Sequence, residues 1–181
     1  QIDRTGRNVL FVDPVQSKLH RVSLSDGTMH QVATDVPLNA IGWRGEALLG
    51  LADNALVEVN AADGTTRQIV EVDVGSGCRF NDMTIAADGT VWAGTMHRGL
   101  LAGRGALFRI GVDGSVTCAC DGLGVCNGME WSADGTHLYL VDTLQRTLIR
   151  FPARADGMLN EPVIVSDFMN IPGKPDGMAI G

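Results

Sequence analysis

The chain has 181 residues, 45% of them apolar, with 23 glycines and only 5% aromatics, which is the composition of a globular chain with one sizeable core and many tight turns, not of a disordered one. A formal net charge of −7 and a pI near 4.9 argue against nucleic acid and anionic membrane surfaces as partners. No apolar run approaches the roughly 20 residues needed to span a bilayer. The chain begins at Gln1 and stops at Ile180-Gly181 in what reads as a strand, so both ends read as internal to a longer protein.

In chain order, Asn8-Val9-Leu10-Phe11-Val12 is a short apolar run, as expected of a strand buried on both faces. Asp26-Gly27 follows as a hairpin turn, since Asp-Gly suits positions that need positive φ. Ala55-Leu56-Val57-Glu58-Val59 alternates and predicts a strand nearer the outside. Further Asp-Gly turns come at 63–64, 88–89, 113–114, 134–135 and 156–157, and His137-Leu138-Tyr139-Leu140-Val141 is a second short apolar run. No window has a helical period, so the fold class is all-β.

The turns form two interleaved series, Gly6, Gly45, Gly89, Gly135 and Gly27, Gly64, Gly114, Gly157. Each recurs every roughly 40 to 45 residues, the signature of a four-stranded propeller blade with two hairpins. Local copies agree. Leu10-Phe11-Val12-Asp13 followed by Lys18-Leu19-His20-Arg21-Val22 matches Tyr139-Leu140-Val141-Asp142 followed by Thr147-Leu148-Ile149-Arg150-Phe151. About four blades fit in residues 1–181, read as a single β-propeller domain incomplete at both ends. A β-sandwich is the alternative, and it would not require the period.

Of the four cysteines, Cys118 and Cys120 fall on one face of an alternating strand, a placement that rarely has disulfide geometry. No paired CxxC spacing marks zinc. Cys78, Cys118, Cys120 and Cys126 read as reduced core thiols, favouring a reducing, cytoplasmic location. Trp43, Trp92 and Trp131 each follow a turn and are expected to fill the space between sheets.

Asn127-Gly128 and Asp176-Gly177 differ from the interior Asp-Gly pairs, because each follows a loop and precedes an apolar strand. They read either as turns in which Asn and Asp bind their own backbone, or as a functional pair at one end of the sheets. An amide oxygen and a carboxylate are hard ligands suited to Ca²⁺, Mg²⁺ or Mn²⁺. Arg79 is either a surface ion pair or a fixed cation that holds hydroxyls or an oxyanion. Asp82 reads as a structural loop residue. His97 is a possible substrate contact, and His20 and His30 read as solvated. No GxSxG and no Cys–His nucleophile context supports covalent catalysis.

Three segments carry a resemblance. They are Arg79-Phe80-Asn81-Asp82 continuing to Gly94-Thr95-Met96, Asn127-Gly128-Met129-Glu130-Trp131 continuing to Asp142-Thr143, and Ile171-Pro172-Gly173-Lys174-Pro175-Asp176-Gly177-Met178. With Thr5 to Asp13, they resemble the SMP-30/gluconolactonase/luciferin-regenerating-enzyme family over nearly the whole chain. The resemblance implies a six-bladed β-propeller with one divalent metal ion (Ca, Mg, Mn or Zn) at the central opening. It implies Asn127 and Asp176 as metal ligands, Asp176 also as the catalytic residue, and Arg79 and Asn81 as substrate-binding residues. The family's third ligand, a Glu ahead of the first-blade strand, has no match in residues 1–181. The loop His97 to Gly105, where the family places further substrate contacts, is here short, basic and without an acidic residue.

The implied function is metal-dependent hydrolysis of a sugar lactone, with the small-molecule lactone as partner and neither nucleic acid nor membrane. The alternatives are esterase or phosphotriesterase hydrolysis on the same metal site, or non-catalytic binding of a metal or sugar acid.

Overall fold

The computed structural model describes residues 1–3 and 5–180. Every regular element among them is a strand, which bears out the all-β reading; no helix is present that is long and apolar enough to cross a membrane. The strands form four antiparallel sheets in two compact units, Gln1–Asp73 and Val74–Gly181.

The first unit holds β1 (Asn8–Asp13), β2 (Lys18–Ser23) and β3 (Met29–Ala33) as one sheet, and β4 (Ala40–Arg44), β5 (Ala47–Leu51), β6 (Ala55–Val59) and β7 (Thr66–Glu71) as another. Its core packs Leu10 and Leu19 against Leu38, Ile41, Leu48, Val57 and Val59. The second unit holds β8 (Cys78–Ile85), β9 (Val91–His97), β10 (Gly105–Ile110) and β11 (Val116–Leu123), then β12 (Cys126–Trp131), β13 (His137–Asp142), β14 (Thr147–Pro152) and β15 (Val163–Asp167). Its core joins Trp92 and Leu107 to Cys126, Met129, Leu138, Leu140 and Phe151.

The eight glycines of the two turn series all have φ between +58° and +86°, so the spacing read from sequence is a spacing of real turns. Gly64 is the most constrained, since a Cβ there would lie 2.0 Å from the carbonyl oxygen of Ala33. The internal copies match in detail. Asp13 Oδ1 accepts from the amides of Val15 and Gln16, and Asp142 Oδ1 accepts from those of Leu144 and Gln145. Each of these turns then places a non-glycine residue at positive φ, Ser17 at 51° and Arg146 at 57°.

The burial expected of two strands is exchanged. The run Asn8–Val12 was expected to be covered on both faces, yet in β1 only Leu10 is buried and Phe11 is 45% exposed, stacked on His20 across the pair at 4.8 Å. β6 was expected nearer the outside, yet all its residues but Glu58 are buried. β6 is covered on both faces, whereas β1 packs through Leu10 into the core with Leu19 and Leu38 and leaves Phe11 uncovered.

The thiols are free. Cys78 and Cys126 are buried, but Cys118 is exposed and Cys120 half-buried, because β11 is the outer strand of its sheet. Trp92 and Trp131, one from each sheet of the second unit, meet edge to face at 5.9 Å.

Candidate functional site

The two strands that carry the motif residues are edge strands, and both are bulged at those residues. On β8, Phe80 faces Thr95 and Asp82 faces Gly94, so Asn81 is an extra residue with no partner of its own on β9. On β12, Cys126 faces Asp142 and Met129 faces Leu140, which leaves one extra residue in the Asn127-Gly128 step. A bulge turns a side chain out of the regular alternation and is over-represented beside active sites. Here both bulges aim their residues at each other. Asn81 Nδ2 donates to Asn127 Oδ1 at 2.8 Å and to the carbonyl of Cys126 at 2.9 Å.

A chain of hydrogen bonds runs on from this contact in both directions. An Arg79 guanidinium nitrogen donates to Asn81 Oδ1 at 3.1 Å and to the carbonyl of Phe80 at 2.7 Å. Asn127 Nδ2 donates to Thr143 Oγ1 at 2.7 Å, and Thr143 Oγ1 donates to the carbonyl of Pro175 at 2.8 Å. The entry to β12 is held by Asp142, which is fully buried. Its carboxylate accepts from the amides of Gly124 at 2.7 Å and Val125 at 3.3 Å.

Asp176 reaches the site by backbone docking. It was expected at the start of a strand, but residues 174–180 join no sheet among the described residues. The amide of Gly128 instead donates to the carbonyl of Asp176 at 3.0 Å. The approach is so close that a Cβ on residue 128 would lie 2.4 Å from the nitrogen of Met178 and 2.8 Å from that carbonyl oxygen. Arg79, Asn81, Asn127 and the backbone at Asp176 are thus brought together.

Asp82 is more than the structural loop residue expected. It lies within β8, accepts from the amide of Met83 at 2.8 Å, and has its carboxyl pushed up to about 6, first by burial and further by the negative charges of Asp176 and Glu130. Among the described residues, no group of three or more His, Cys, Asp and Glu could hold a metal ion by itself. The donors that do meet are oxygens, and the charges of Asp176 and Glu130 act on Asp82 in addition to its burial. That chemistry fits a hard divalent cation.

His97 ends β9, and its Nδ1 accepts from the amide of Gly99 at 3.0 Å, so the ring is tied into its own turn. A cleft of about 410 Å³ lies at the far ends of β8 and β12, beside Ile85, Trp92, Trp131 and Asp134. It includes none of Arg79, Asn81, Asn127 and Asp176, so it is a separate feature.

Sequence reasoning named Arg79, Asn81, Asn127 and Asp176 but gave no role to Thr143 or Gly128, although both lie in the quoted motifs. The signal that could have found them is the Asn-Gly and Asp-Thr steps, each placed beside a bulge or turn.

The second unit therefore gathers the motif residues on the bulged edges of two sheets. The fold is shared with a solved calcium-binding protein, regucalcin from Agrobacterium tumefaciens, at a TM-score of 0.88 and 25% identity over 98% of this chain and 61% of that one. Residues 2–181 match the SMP-30/gluconolactonase/LRE-like region, and the chain belongs to that family. A pentonolactonase of Haloferax volcanii is 31% identical over 176 residues, 96% of this chain and 59% of its own length. A 6-deoxy-6-sulfogluconolactonase of Pseudomonas putida is 26% identical over 172 residues, 93% of this chain and 59% of its own. The chain thus spans about six-tenths of the length of the proteins it matches.

Proposed function

We propose that the protein hydrolyses a sugar lactone with the help of a divalent metal ion, on a six-bladed propeller of which the four sheets are four blades. The observation that carries this reading is the hydrogen-bonded meeting of Arg79, Asn81 and Asn127 beside the Asp176 backbone. Relatives named as lactonases of five- and six-carbon sugars give it the substrate class.

Asn127 Oδ1 and the Asp176 carboxylate are the donors that would hold the cation. When bound, it would polarise the lactone carbonyl and acidify a water molecule. Arg79 and Asn81 bind the sugar hydroxyls, and the Arg79 charge stabilises the oxyanion that develops on the carbonyl oxygen. Asp176 takes the proton from the attacking water. The carbonyl carbon gains that hydroxyl, the ring C–O bond breaks, and the proton goes to the departing ring oxygen, giving the open-chain sugar acid. The linked amides keep these groups in register, which is where positioning contributes to rate.

The test is hydrolysis of δ- and γ-sugar lactones by the full-length protein, with aryl esters as controls, in Mn²⁺, Ca²⁺, Mg²⁺, Zn²⁺ and chelator. Lactone turnover that needs a divalent ion is the expected result. Turnover of esters alone, or of lactones unaffected by chelator, would overturn it.

A further inference from the structure

We propose that Thr143 is the positioning residue of this site: its hydroxyl fixes which end of the Asn127 amide faces Asn81 and ties that amide to the segment bearing Asp176. The inference rests on the lactonase reading for its consequence and on the geometry alone for its substance. A threonine hydroxyl has one proton to give and two lone pairs to accept with. Thr143 spends the proton on the carbonyl of Pro175 at 2.8 Å, so it can only accept from Asn127. That forces Asn127 Nδ2 towards Thr143 and Oδ1 away from it.

The opposite side enforces the same choice. Asn81 Nδ2 donates to Asn127 Oδ1 at 2.8 Å, and Asn81 is itself oriented, because its Oδ1 accepts from Arg79. Turning Asn127 over would set two N–H groups against each other at Asn81. It would also set a carbonyl oxygen against a hydroxyl whose proton is already engaged. The oxygen of Asn127, the atom with ligand chemistry, therefore has one place to be.

Thr143 can do this because its own backbone is fixed. Its amide donates to the carbonyl of Val125 at 3.1 Å, and the preceding Asp142 clamps Gly124 and Val125. Pro175 is the residue before Asp176, so the same hydroxyl sets the height of the 175–178 segment over Gly128. One side chain thereby couples two residues of the proposed ligand set, 49 positions apart by their numbers, 127 and 176.

The experiment compares the full-length protein with Thr143→Val and Thr143→Ser by two readouts. The first is hydrogen exchange at the Gly128 amide, which reports docking of Asp176 and needs no metal. The second is Mn²⁺ affinity by calorimetry. Thr143→Val should speed Gly128 exchange and weaken Mn²⁺ by about 10- to 100-fold, the usual effect of losing a group that orients a ligand. Thr143→Ser, which keeps the hydroxyl, should stay within about threefold of wild type in both. If Thr143→Val does not fold, Thr143→Ala takes its place. Exchange in the valine or alanine variant within about twofold of wild type overturns the proposal, as does a serine variant that behaves like valine. Wild-type protein that binds no Mn²⁺ sinks the metal reading instead, and the exchange measurement still decides the role of Thr143.

Discussion

Asp82→Asn should stabilise the protein at neutral pH, and by an amount the site predicts. The Asp82 carboxyl is held at about 6 in the fold, against 3.8 for a free one, chiefly by burial and then by the charges of Asp176 and Glu130. Between pH 4 and 6 the folded chain therefore holds a proton that the unfolded chain has released. Folding stability contributed at this position is greatest below pH 4 and is lost as pH rises through about 6. Two pKa units correspond to about 3 kcal/mol, which is an upper limit for a group that keeps some contact with solvent. Asparagine keeps the shape and can still accept from the amide of Met83, but carries no charge to penalise. Urea unfolding in chelator from pH 4 to 8 is the assay. The variant should exceed wild type by up to about 3 kcal/mol at pH 8, and the gap should close towards pH 4. Saturating Mn²⁺ at pH 8 should stabilise both and narrow the gap, since a nearby cation offsets the Asp82 charge that only wild type carries. A variant less stable than wild type at pH 8, or a gap that does not change with pH, would refute the reasoning.

Asp176→Asn in the full-length protein should lower lactone kcat by about 100-fold or more with the melting temperature unchanged; activity within about tenfold of wild type would move the catalytic centre elsewhere. Gly94→Ala should cost about 1–3 kcal/mol, because its Cβ would lie 2.4 Å from that of Cys126 between two packed sheets; equilibrium unfolding measures it, and a neutral result would mean the sheets can separate freely. Asp142→Ala should cost about 3 kcal/mol or more, since the amides of Gly124 and Val125 lose their acceptor in a buried place, and thermal melts should register it as a large drop. Gly128→Ala should leave the melt close to wild type while abolishing divalent-ion binding, because the methyl displaces the Asp176 segment rather than the core; titration that finds intact binding contradicts the close approach at this glycine.

Much of this could be read before any coordinates. Glycines that need positive φ announce themselves in sequence, which is why the two turn series fell on real turns and the strands between them followed. The family motifs led to Arg79, Asn81 and Asn127, and these three do touch in sequence order. What stayed hidden depends on pairing. The bulge at Asn81 exists only relative to β9, and nothing local distinguishes it from an ordinary strand residue. The Thr143–Pro175 contact joins segments 32 residues apart. The carboxyl of Asp82 is raised first by burial and then by the charges of Asp176 and Glu130, neither of them near it in the chain. The exchanged burial of β1 and β6 has the same root, since an apolar run says that a strand exists but not how many of its faces other elements will cover.

The edge-to-face pair of Trp92 and Trp131 makes the second unit optically self-reporting. Two indoles held at 5.9 Å and 68° couple their transitions, and that coupling produces a near-ultraviolet circular dichroism signal that vanishes when the two sheets part. The third tryptophan, Trp43, belongs to the first unit, against its own core. Replacing Trp43 by phenylalanine would therefore leave a spectrum written by the second unit alone. Melting of the sheets that carry Asn81 and Asn127 could then be followed without a label, separately from everything before residue 74.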